Sequence, residues 1–561
     1  MKKINIFLKK FKIMLLVAVL AVTSFFSYSF VDNYFEVSKQ LEIFATLYRE
    51  LNIYYVDETN PGKLMETGIN AMLETLDPYT NYISESDIED YRFMTTGQYG
   101  GIGALITQKG NYVIVADPYE GYPAQKGGLM AGDVILEIDG KSAVGKKTDE
   151  VSKILKGSPN TPIKLLIQRE GESNTIEKVL TREEIKINSV PYSGMISEDI
   201  GYIRLSSFTE SAGREVREAF VNLKTSNPTL TGIILDLRGN PGGLLTEAVN
   251  ISNIFIEKGQ EIVSTKGKIK EWDKSYKALN PAIDNEIPVA VLVNSGSASA
   301  SEIVSGSLQD LDRGVVVGQR TFGKGLVQTT RPLSYNSQLK LTTAKYYTPS
   351  GRCIQTLDYS HRNEDGSVGS IPDSLIKQFK TKRGRLVYDG GGIIPDYKVE
   401  QKKYSNIAGS LMSKQHIFDY ATKYRLTHPT IASAKSFNFS DVDFNDFVNF
   451  LSDKEYDYQT KSEKALMDLK EFAEDEKYFS DFKAEYDQLK NKMMHDKQKD
   501  LQRHKQEIMQ LLEEEIVSRY YYQKGRIEAS FDSDEEILTA INIIKDKPLY
   551  NSVLEGKFKQ N

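Results

Sequence analysis

Two largely apolar runs, Gly232–Leu237 and Pro288–Val293, limit most strongly what this 561-residue chain can fold into. Each run is followed by a loop rich in glycine or serine and then by the pattern of an amphipathic helix. Apolar runs of this length are typical of strands that are buried on both faces of a sheet. The sequence therefore predicts an α/β core in which both loops lie at the carboxyl ends of strands, where binding and catalytic sites form.

The segments that flank this core, which we assign to residues 186–400, have different patterns. Residues 31–95 carry apolar residues at three- to five-residue spacing, so we predict an N-terminal helical region. Residues 96–185 contain short apolar runs between turns rich in glycine and proline, which predicts a small β-rich module. Residues 401–561 are charged and show helical apolar spacing, which predicts a helical C-terminal extension. We expect this extension to be dispensable for folding of the core.

The first 30 residues, 1–30, carry the pattern of a targeting segment. Five lysines precede or overlap an apolar run from Phe11 to Phe30. A helix of about 20 residues spans a bilayer, and a basic flank stays in the cytoplasm. The small residues Ser27 and Ser29 alternatively fit the cleavage site of a signal peptide. A retained anchor and a cleaved signal both place the remaining chain outside the cytoplasm, in the periplasm or cell envelope, whereas a third alternative, a buried core helix, does not.

Composition excludes several kinds of function. Lys and Arg number 71 and Asp and Glu number 77, which gives a net charge of −6 and argues against nucleic acid as a partner. The one cysteine, Cys353, excludes an intramolecular disulfide framework and zinc sites built on cysteine pairs. None of the five histidines precedes His361. Any chemistry before that position must therefore use a base other than imidazole.

A glycine-rich segment fits a nucleotide-binding loop only in part. Residues 318–325 match the phosphate-binding pattern G-x-x-x-x-G-K, but Gly325 stands where that loop needs a Ser or Thr hydroxyl to hold magnesium. The residues that follow predict a strand, not the helix whose N-terminus binds phosphate. The lysine of this segment, Lys324, therefore needs another interpretation.

A serine-rich loop, residues 294–302, separates the second apolar run from its helix. A serine at the start of such a helix is close to the positive end of the helix dipole and to free N–H groups, which stabilise an anionic intermediate. Because histidine is absent here, Lys324 is the available base, and lowering a lysine pKa by three units costs about 4 kcal/mol, which burial can supply. From these residues alone, a tightly packed loop and a solvated turn lysine remain open alternatives.

Six short motifs occur along the chain in a fixed order that can be compared with known families. The motifs are Leu73–Tyr82, Asp236–Gly243, Ser297–Glu302, Thr321–Gln328, Lys345–Arg352 and Gly392–Asp396. In this order they resemble the C-terminal processing peptidases, the S41 family of serine proteases, from about Leu41 to Asp396. The resemblance implies an S41-type α/β protease core with an inserted PDZ domain at residues 96–185.

The resemblance also implies a catalytic site. In this implied site, Ser299 is the nucleophile, Lys324 is the general base and Gln328 orients that base. The implied oxyanion hole consists of the N–H of Ala300 and the N–H of either Gly242 or Gly243. In the PDZ domain, it implies a loop that receives the C-terminal carboxylate of a substrate through backbone N–H groups. The residues of that loop are Gly101, Ile102, Gly103 and Ala104.

The function implied is a serine endopeptidase with a Ser-Lys dyad, which needs no metal or organic cofactor and cleaves extracytoplasmic proteins recognised by their C-termini. The implied partners are protein or peptide substrates, the membrane if the N-terminal segment is retained, and further copies of the chain if the enzyme is a homo-oligomer. The alternative is a non-catalytic PDZ scaffold with a protease-like fold. The intact set of serine, lysine and glutamine argues against that alternative.

Overall fold

The structure, a computed structural model, describes residue 14 and residues 34–363, 365–493 and 497–558. It divides into two compact units, residues 1–82 and residues 83–561. The apolar run of the predicted targeting segment lies outside the described residues, apart from Met14. Within the residues described, no helix is both long and apolar enough to cross a bilayer.

Two helices make up most of the described part of the first unit. Residues 34–54 form one helix. A second helix, Pro61–Glu74, begins after Asn60, whose side chain accepts a hydrogen bond from the N–H of Lys63 at 3.0 Å. This is a standard helix start, with an Asn cap and a proline at the first helical position. A short strand, Asn81–Ile83, lies at the boundary of the two units.

The second unit is built around a six-stranded sheet, which we call the central sheet. The first pair of strands is antiparallel and the remaining pairs are parallel. The two predicted apolar runs are interior strands in which every residue is buried, so the prediction of an α/β core is confirmed. In spatial order the strands are Tyr192–Met195, Ile200–Arg204, Gly232–Asp236, Val289–Val293, Val315–Gly318 and Tyr397–Lys398.

One face of the central sheet is covered by three helices, Ala212–Ser226, Leu245–Ser252 and Ala300–Asp310. Their apolar residues join every second residue of the buried strands, such as Ile233 and Val291, in one core. The alternation follows from the two-residue period of a strand, which points the intervening side chains to the opposite face. Because the interior strands are parallel, the loops that follow them lie together at the carboxyl ends of the strands.

The opposite face of the central sheet is covered by the end of the C-terminal extension. Helices Glu535–Lys545 and Lys547–Leu554 place their apolar side chains against the intervening strand residues. The contact is close, since a Cβ added at Gly232 would lie 2.2 Å from Cγ2 of Ile544. For residues 531–554, this packing argues against the expectation that the extension is dispensable for the core. A mostly parallel sheet needs cover on both faces, and these residues supply the second cover.

A second, antiparallel sheet combines strands that precede the fourth strand of the central sheet with strands that follow the fifth. Strand Gln338–Tyr347 pairs on one side with Leu326–Pro332 and on the other with Glu261–Gly267, which also pairs with Lys274–Lys277. Two small hairpins complete this region, Leu357–Arg362 with Val368–Ser370 and Gln378–Lys380 with Leu386–Tyr388.

The β-rich module predicted between residues 96 and 185 contains a six-stranded sheet and two helices, Pro123–Lys126 and Thr148–Leu155. Strand Ala104–Lys109 lies at one edge of this sheet. Helix Ile88–Thr96 leads to a two-stranded ribbon, Gln98–Gly101 with Glu183–Lys186, through which the chain enters and leaves the module. The remaining strands, in chain order, are Tyr112–Pro118, Val134–Ile138, Lys141–Ser142, Pro162–Gln168 and Ile176–Thr181.

The rest of the C-terminal extension is helical, as predicted, and has its own buried cluster. Aromatic residues dominate this cluster, and the rings of Tyr420 and Phe447 meet edge to face with centroids 5.0 Å apart. The extension also contacts the β-rich module, where Lys109 Nζ lies 2.5 Å from Asp419 Oδ1. Its helices before residue 531 are Asn406–Ser413, His416–Thr427, Asp441–Phe450, Lys461–Asp475, Phe479–Met493, Lys497–Arg503 and Lys505–Ser530.

Candidate active site

Ser299 occupies a strained turn between a buried strand and the start of helix Ala300–Asp310. Its backbone has φ 56° and ψ −110°, a conformation that residues with a Cβ rarely adopt. Hydrogen bonds from outside the helix ladder help to hold it there: Ser299 N–H donates to Glu302 Oε2 at 2.8 Å, and the Tyr346 hydroxyl donates to the Ser299 carbonyl at 3.1 Å. Such strain persists only where neighbouring groups enforce it, and it is concentrated at functional sites. The turn leaves Ser299 half-buried at the N-terminal end of the helix.

Glu302 is the buried centre of this region. Oε2 accepts the N–H groups of Ser299 and of Lys324, at 2.8 and 2.9 Å. Oε1 accepts the N–H of Gly323 at 2.7 Å and the hydroxyl of Thr321. The backbones of Ser299 and Lys324 therefore meet at one carboxylate oxygen.

The charge state of Glu302 reflects two opposed effects. Burial raises the pKa of Glu302 to about 7, although the four hydrogen bonds from Thr321, Lys324, Ser299 and Gly323 oppose that rise. All four partners are donors, so they match the ionised carboxylate, which only accepts. Glu302 is not among the residues that the sequence predicts for the site. A signal was present, because a Ser followed three residues later by a Glu is a helix-capping pattern.

The segment that carries Lys324, residues 319–325, is called the lysine loop below. Besides its bonds to Glu302, it is fixed by the N–H of Phe322, which donates to the Ser297 carbonyl at 3.0 Å. Gly323 has φ 86°, and a Cβ there would lie 1.8 Å from the Thr356 hydroxyl oxygen, so a larger residue would displace the loop. The structure thus brings the predicted nucleophile and the predicted base to one place in the fold.

Gln328 lies on strand Leu326–Pro332, directly after the lysine loop. Its side-chain amide donates to the Thr342 hydroxyl on the neighbouring strand at 3.1 Å. The pairing of these two strands shifts register between Val327 and Gln328. The predicted role of Gln328 in orienting Lys324 stays a prediction.

The glycine loop, residues 238–243, approaches Ser299 from the neighbouring strand. Gly242 has φ 99°, and a Cβ there would lie 2.9 Å from both Ser299 Cβ and Ala300 N. Glycine is therefore required for the loop to come this close to the nucleophile.

The two candidate glycines differ in what their N–H groups do. Gly242 N–H donates to Asn240 Oδ1 at 2.9 Å. In the described part of the chain, the N–H groups of Gly243 and Ala300 donate to no other residue. Asn240 also joins the glycine loop to the serine-rich loop, residues 294–302, because the Asn240 carbonyl accepts the N–H of Ala298 at 3.0 Å.

A buried network of ion pairs among Asp236, Arg238 and Arg204 lies at the start of the glycine loop. Burial alone would raise the pKa of Asp236, but the guanidinium groups of Arg238 and Arg204 hold it well below its usual range. Arg238 also reaches the C-terminal extension, with Nη1 2.8 Å from Asp534 Oδ2 and 2.9 Å from Glu536 Oε2. Asp236 and Arg238 belonged to a recognised motif, but sequence reasoning assigned them no contact.

The predicted carboxylate-binding residues, Gly101–Ala104, connect the two-stranded ribbon to the edge strand of the β-rich module. The carbonyls of Ile102 and Gly103 accept the N–H groups of Ala124 and Tyr119 at 2.8 and 2.9 Å. Ala104 begins the edge strand. The structure therefore places these residues next to the edge strand of the module, and their role stays a prediction. Among the described residues, no three His, Cys, Asp or Glu side chains are grouped to hold a metal ion.

Three parts of the chain match known families. Residues 199–360 match the sequence profile of Peptidase family S41. Residues 114–169 match a PDZ domain. Residues 407–544 match the C-terminal helical domain of a probable PDZ-protease.

Several known proteins are similar to this chain over most of its length. A carboxy-terminal-processing protease of Bartonella bacilliformis is 40% identical over 342 residues, which cover 61% of this chain and 76% of that protein. A probable CtpA-like serine protease of Staphylococcus haemolyticus is 34% identical over 382 residues, with 67% and 68% covered. Among solved structures, a photosystem II D1 C-terminal processing protease is 29% identical, covers 64% of this chain and 92% of its own, and has a TM-score of 0.34.

Proposed function

Because this chain belongs to the carboxy-terminal-processing serine proteases of peptidase family S41, we propose that it is an extracytoplasmic endopeptidase that works with a Ser299–Lys324 dyad. The observation that carries the proposal is the carboxylate of Glu302. It accepts the backbone N–H groups of Ser299 and Lys324 on one oxygen, at 2.8 and 2.9 Å. A dyad needs its two members in a fixed relation, and this shared acceptor supplies one.

In the proposed reaction, the neutral amine of Lys324 takes the proton from Ser299 Oγ as that oxygen attacks the carbonyl carbon of the scissile bond. The C–N bond then breaks, and the Lys324 ammonium returns its proton to the leaving amine. Water hydrolyses the resulting ester of Ser299, with Lys324 again acting as base. Gln328 is proposed to hold the Lys324 side chain in place.

The tetrahedral intermediates of ester formation and of ester hydrolysis each carry a negative oxygen, which two preorganised hydrogen-bond donors stabilise. We assign them to the N–H groups of Ala300 and Gly243. The alternative donor, Gly242 N–H, is already bonded to Asn240 Oδ1. Ala300 N–H lies at the N-terminus of its helix, where the dipole also favours negative charge.

Substrates are proposed to enter through the PDZ domain. An extended peptide would add to the edge strand Ala104–Lys109, and its terminal carboxylate would accept N–H groups of residues 101–104. The N-terminal lysines and the apolar run that follows them support export from the cytoplasm and, if the segment is retained, attachment to the membrane. The non-catalytic scaffold is the competing function.

One experiment tests cleavage and C-terminal recognition together. The protein is incubated with two reporter peptides of one sequence, one with a free C-terminal carboxylate and the other with a C-terminal amide. We expect cleavage of the free acid, with kcat/KM at least about tenfold lower for the amide, because amidation removes the negative charge that strengthens the hydrogen bonds to the terminal group.

Ser299→Ala should not cleave either peptide, whereas Ser295→Ala, an exposed serine of the same loop, should behave as wild type. Peptide binding without cleavage by the wild-type protein would support the scaffold instead. Equal rates for the acid and the amide would reject C-terminal recognition while leaving the peptidase assignment in place.

A further inference from the structure

One helix of the C-terminal extension, Glu535–Lys545, contacts both loops of the candidate site. Glu536 lies in the first turn of helix Glu535–Lys545, more than 200 residues from either loop. Its Oε2 accepts from Arg238 Nη1 at 2.9 Å, and its Oε1 accepts from Gln319 Nε2 at 2.8 Å. Arg238 begins the glycine loop, and Gln319 begins the lysine loop. One carboxylate therefore bridges the two loops that lie on either side of Ser299.

Burial and additional hydrogen bonds hold the side chains of this bridge in place. The side chains of Arg238 and Glu536 are only 11% and 17% exposed. Gln319 is fixed a second time, because Nε2 also donates to the Val399 carbonyl at 2.8 Å. Asp534 caps the same helix by accepting the N–H of Ile537 at 3.1 Å, and it also pairs with Arg238. Partly buried, charge-assisted hydrogen bonds of this kind hold position better than exposed ones.

We propose that Glu536 is a positioning residue of the peptidase site, which ties the glycine loop to the lysine loop so that the oxyanion donors and the base are held in register. The inference rests on the proposed function of Ser299 and Lys324. It gives the C-terminal helical domain a part in catalysis in addition to its part in the core. Glu536 itself touches no reacting atom and acts through Arg238 and Gln319.

The kinetic test compares Glu536→Ala with Glu535→Ala. Glu535 is the matched control because it lies in the same helical turn, carries the same charge and is exposed. We expect Glu536→Ala to lower kcat about 10- to 100-fold, as small misplacements of catalytic groups do, and to change KM less than twofold. Glu536→Gln keeps one acceptor and should lose less than the alanine variant. Both alanine variants should keep the thermal midpoint, since Arg238 retains Asp236 and Asp534.

A double-mutant cycle tests the route of the effect. Gln319→Ala should lower kcat in the wild-type background but cost much less in Glu536→Ala, because the bond between them is already gone. Equal kcat values for Glu536→Ala and Glu535→Ala would overturn the proposal. So would a fall of kcat matched by a fall of the thermal midpoint, which would indicate a role in stability alone.

A second readout does not depend on activity. Hydrogen–deuterium exchange, followed by mass spectrometry, should become faster in residues 238–243 and 319–325 of Glu536→Ala and stay unchanged in the PDZ domain. If Ser299→Ala proves as active as wild type, the proposed dyad fails, and the exchange result still decides whether Glu536 holds the loops. Unchanged exchange in both loops would overturn the inference even if the dyad is correct.

Discussion

Lys324→Ala is expected to lose peptide cleavage as completely as Ser299→Ala, by about a thousandfold or more, because nucleophile and base act as one unit. Lys324→Arg should fail as well, since a guanidinium stays protonated and cannot accept the proton of Ser299. Initial rates of reporter cleavage measure this loss. Lys268→Ala, which removes an exposed lysine elsewhere in the core, is the control and should keep the wild-type rate.

The backbone contacts of the lysine loop make these variants informative. Glu302 binds the N–H of Lys324 and of Gly323, so the loop keeps its path when the Lys324 side chain is shortened. A loss of activity then reports on the amine itself. Turnover above about 1% of wild type in either Lys324 variant, with Ser299→Ala inactive, would mean that another group is the base.

A chain that ends at Ser530 is expected not to fold. The deleted segment supplies six buried Phe, Ile, Val and Leu side chains to the cluster on the second face of the central sheet. Each contributes about 1.5–3 kcal/mol, so the total is comparable with the whole stability of a domain, about 5–15 kcal/mol. Soluble yield and thermal unfolding followed by circular dichroism measure the effect.

A chain that ends at Phe558 is the control for that truncation, because it keeps both covering helices. It should be as soluble and as stable as the full chain. A soluble chain ending at Ser530 with a cooperative unfolding transition near that of the full chain would show that the central sheet does not depend on this cover.

The sequence predicted the elements better than their arrangement. The strands Gly232–Asp236 and Val289–Val293 are fully buried, and fully buried strands leave continuous apolar runs that can be recognised directly. The helices of the C-terminal extension were also predicted, from their apolar spacing. Spacing says that a helix has an apolar face, but not what that face packs against, so the docking of residues 531–554 on the sheet was missed.

In the candidate site too, local motifs could be predicted from the sequence, whereas contacts between distant residues could not. Ser299 and Lys324 could be named because each lies in a short local motif that carries the resemblance to the S41 family. The role of Glu302 depends on four donors brought together from two loops. The bridge made by Glu536 joins residues more than 200 positions apart. Such contacts have no local signal, because they exist only once the sheet has aligned the ends of its strands.

The central claim is that Ser299 is the nucleophile, and trapping the acyl-enzyme tests it most directly. The wild-type protein is mixed with a peptide ester substrate, quenched in acid during turnover, digested and examined by mass spectrometry. We predict an acyl group on Ser299 of the wild type, and its absence from Ser299→Ala treated in the same way. An acyl group on another residue, or continued cleavage by Ser299→Ala, would contradict the assignment.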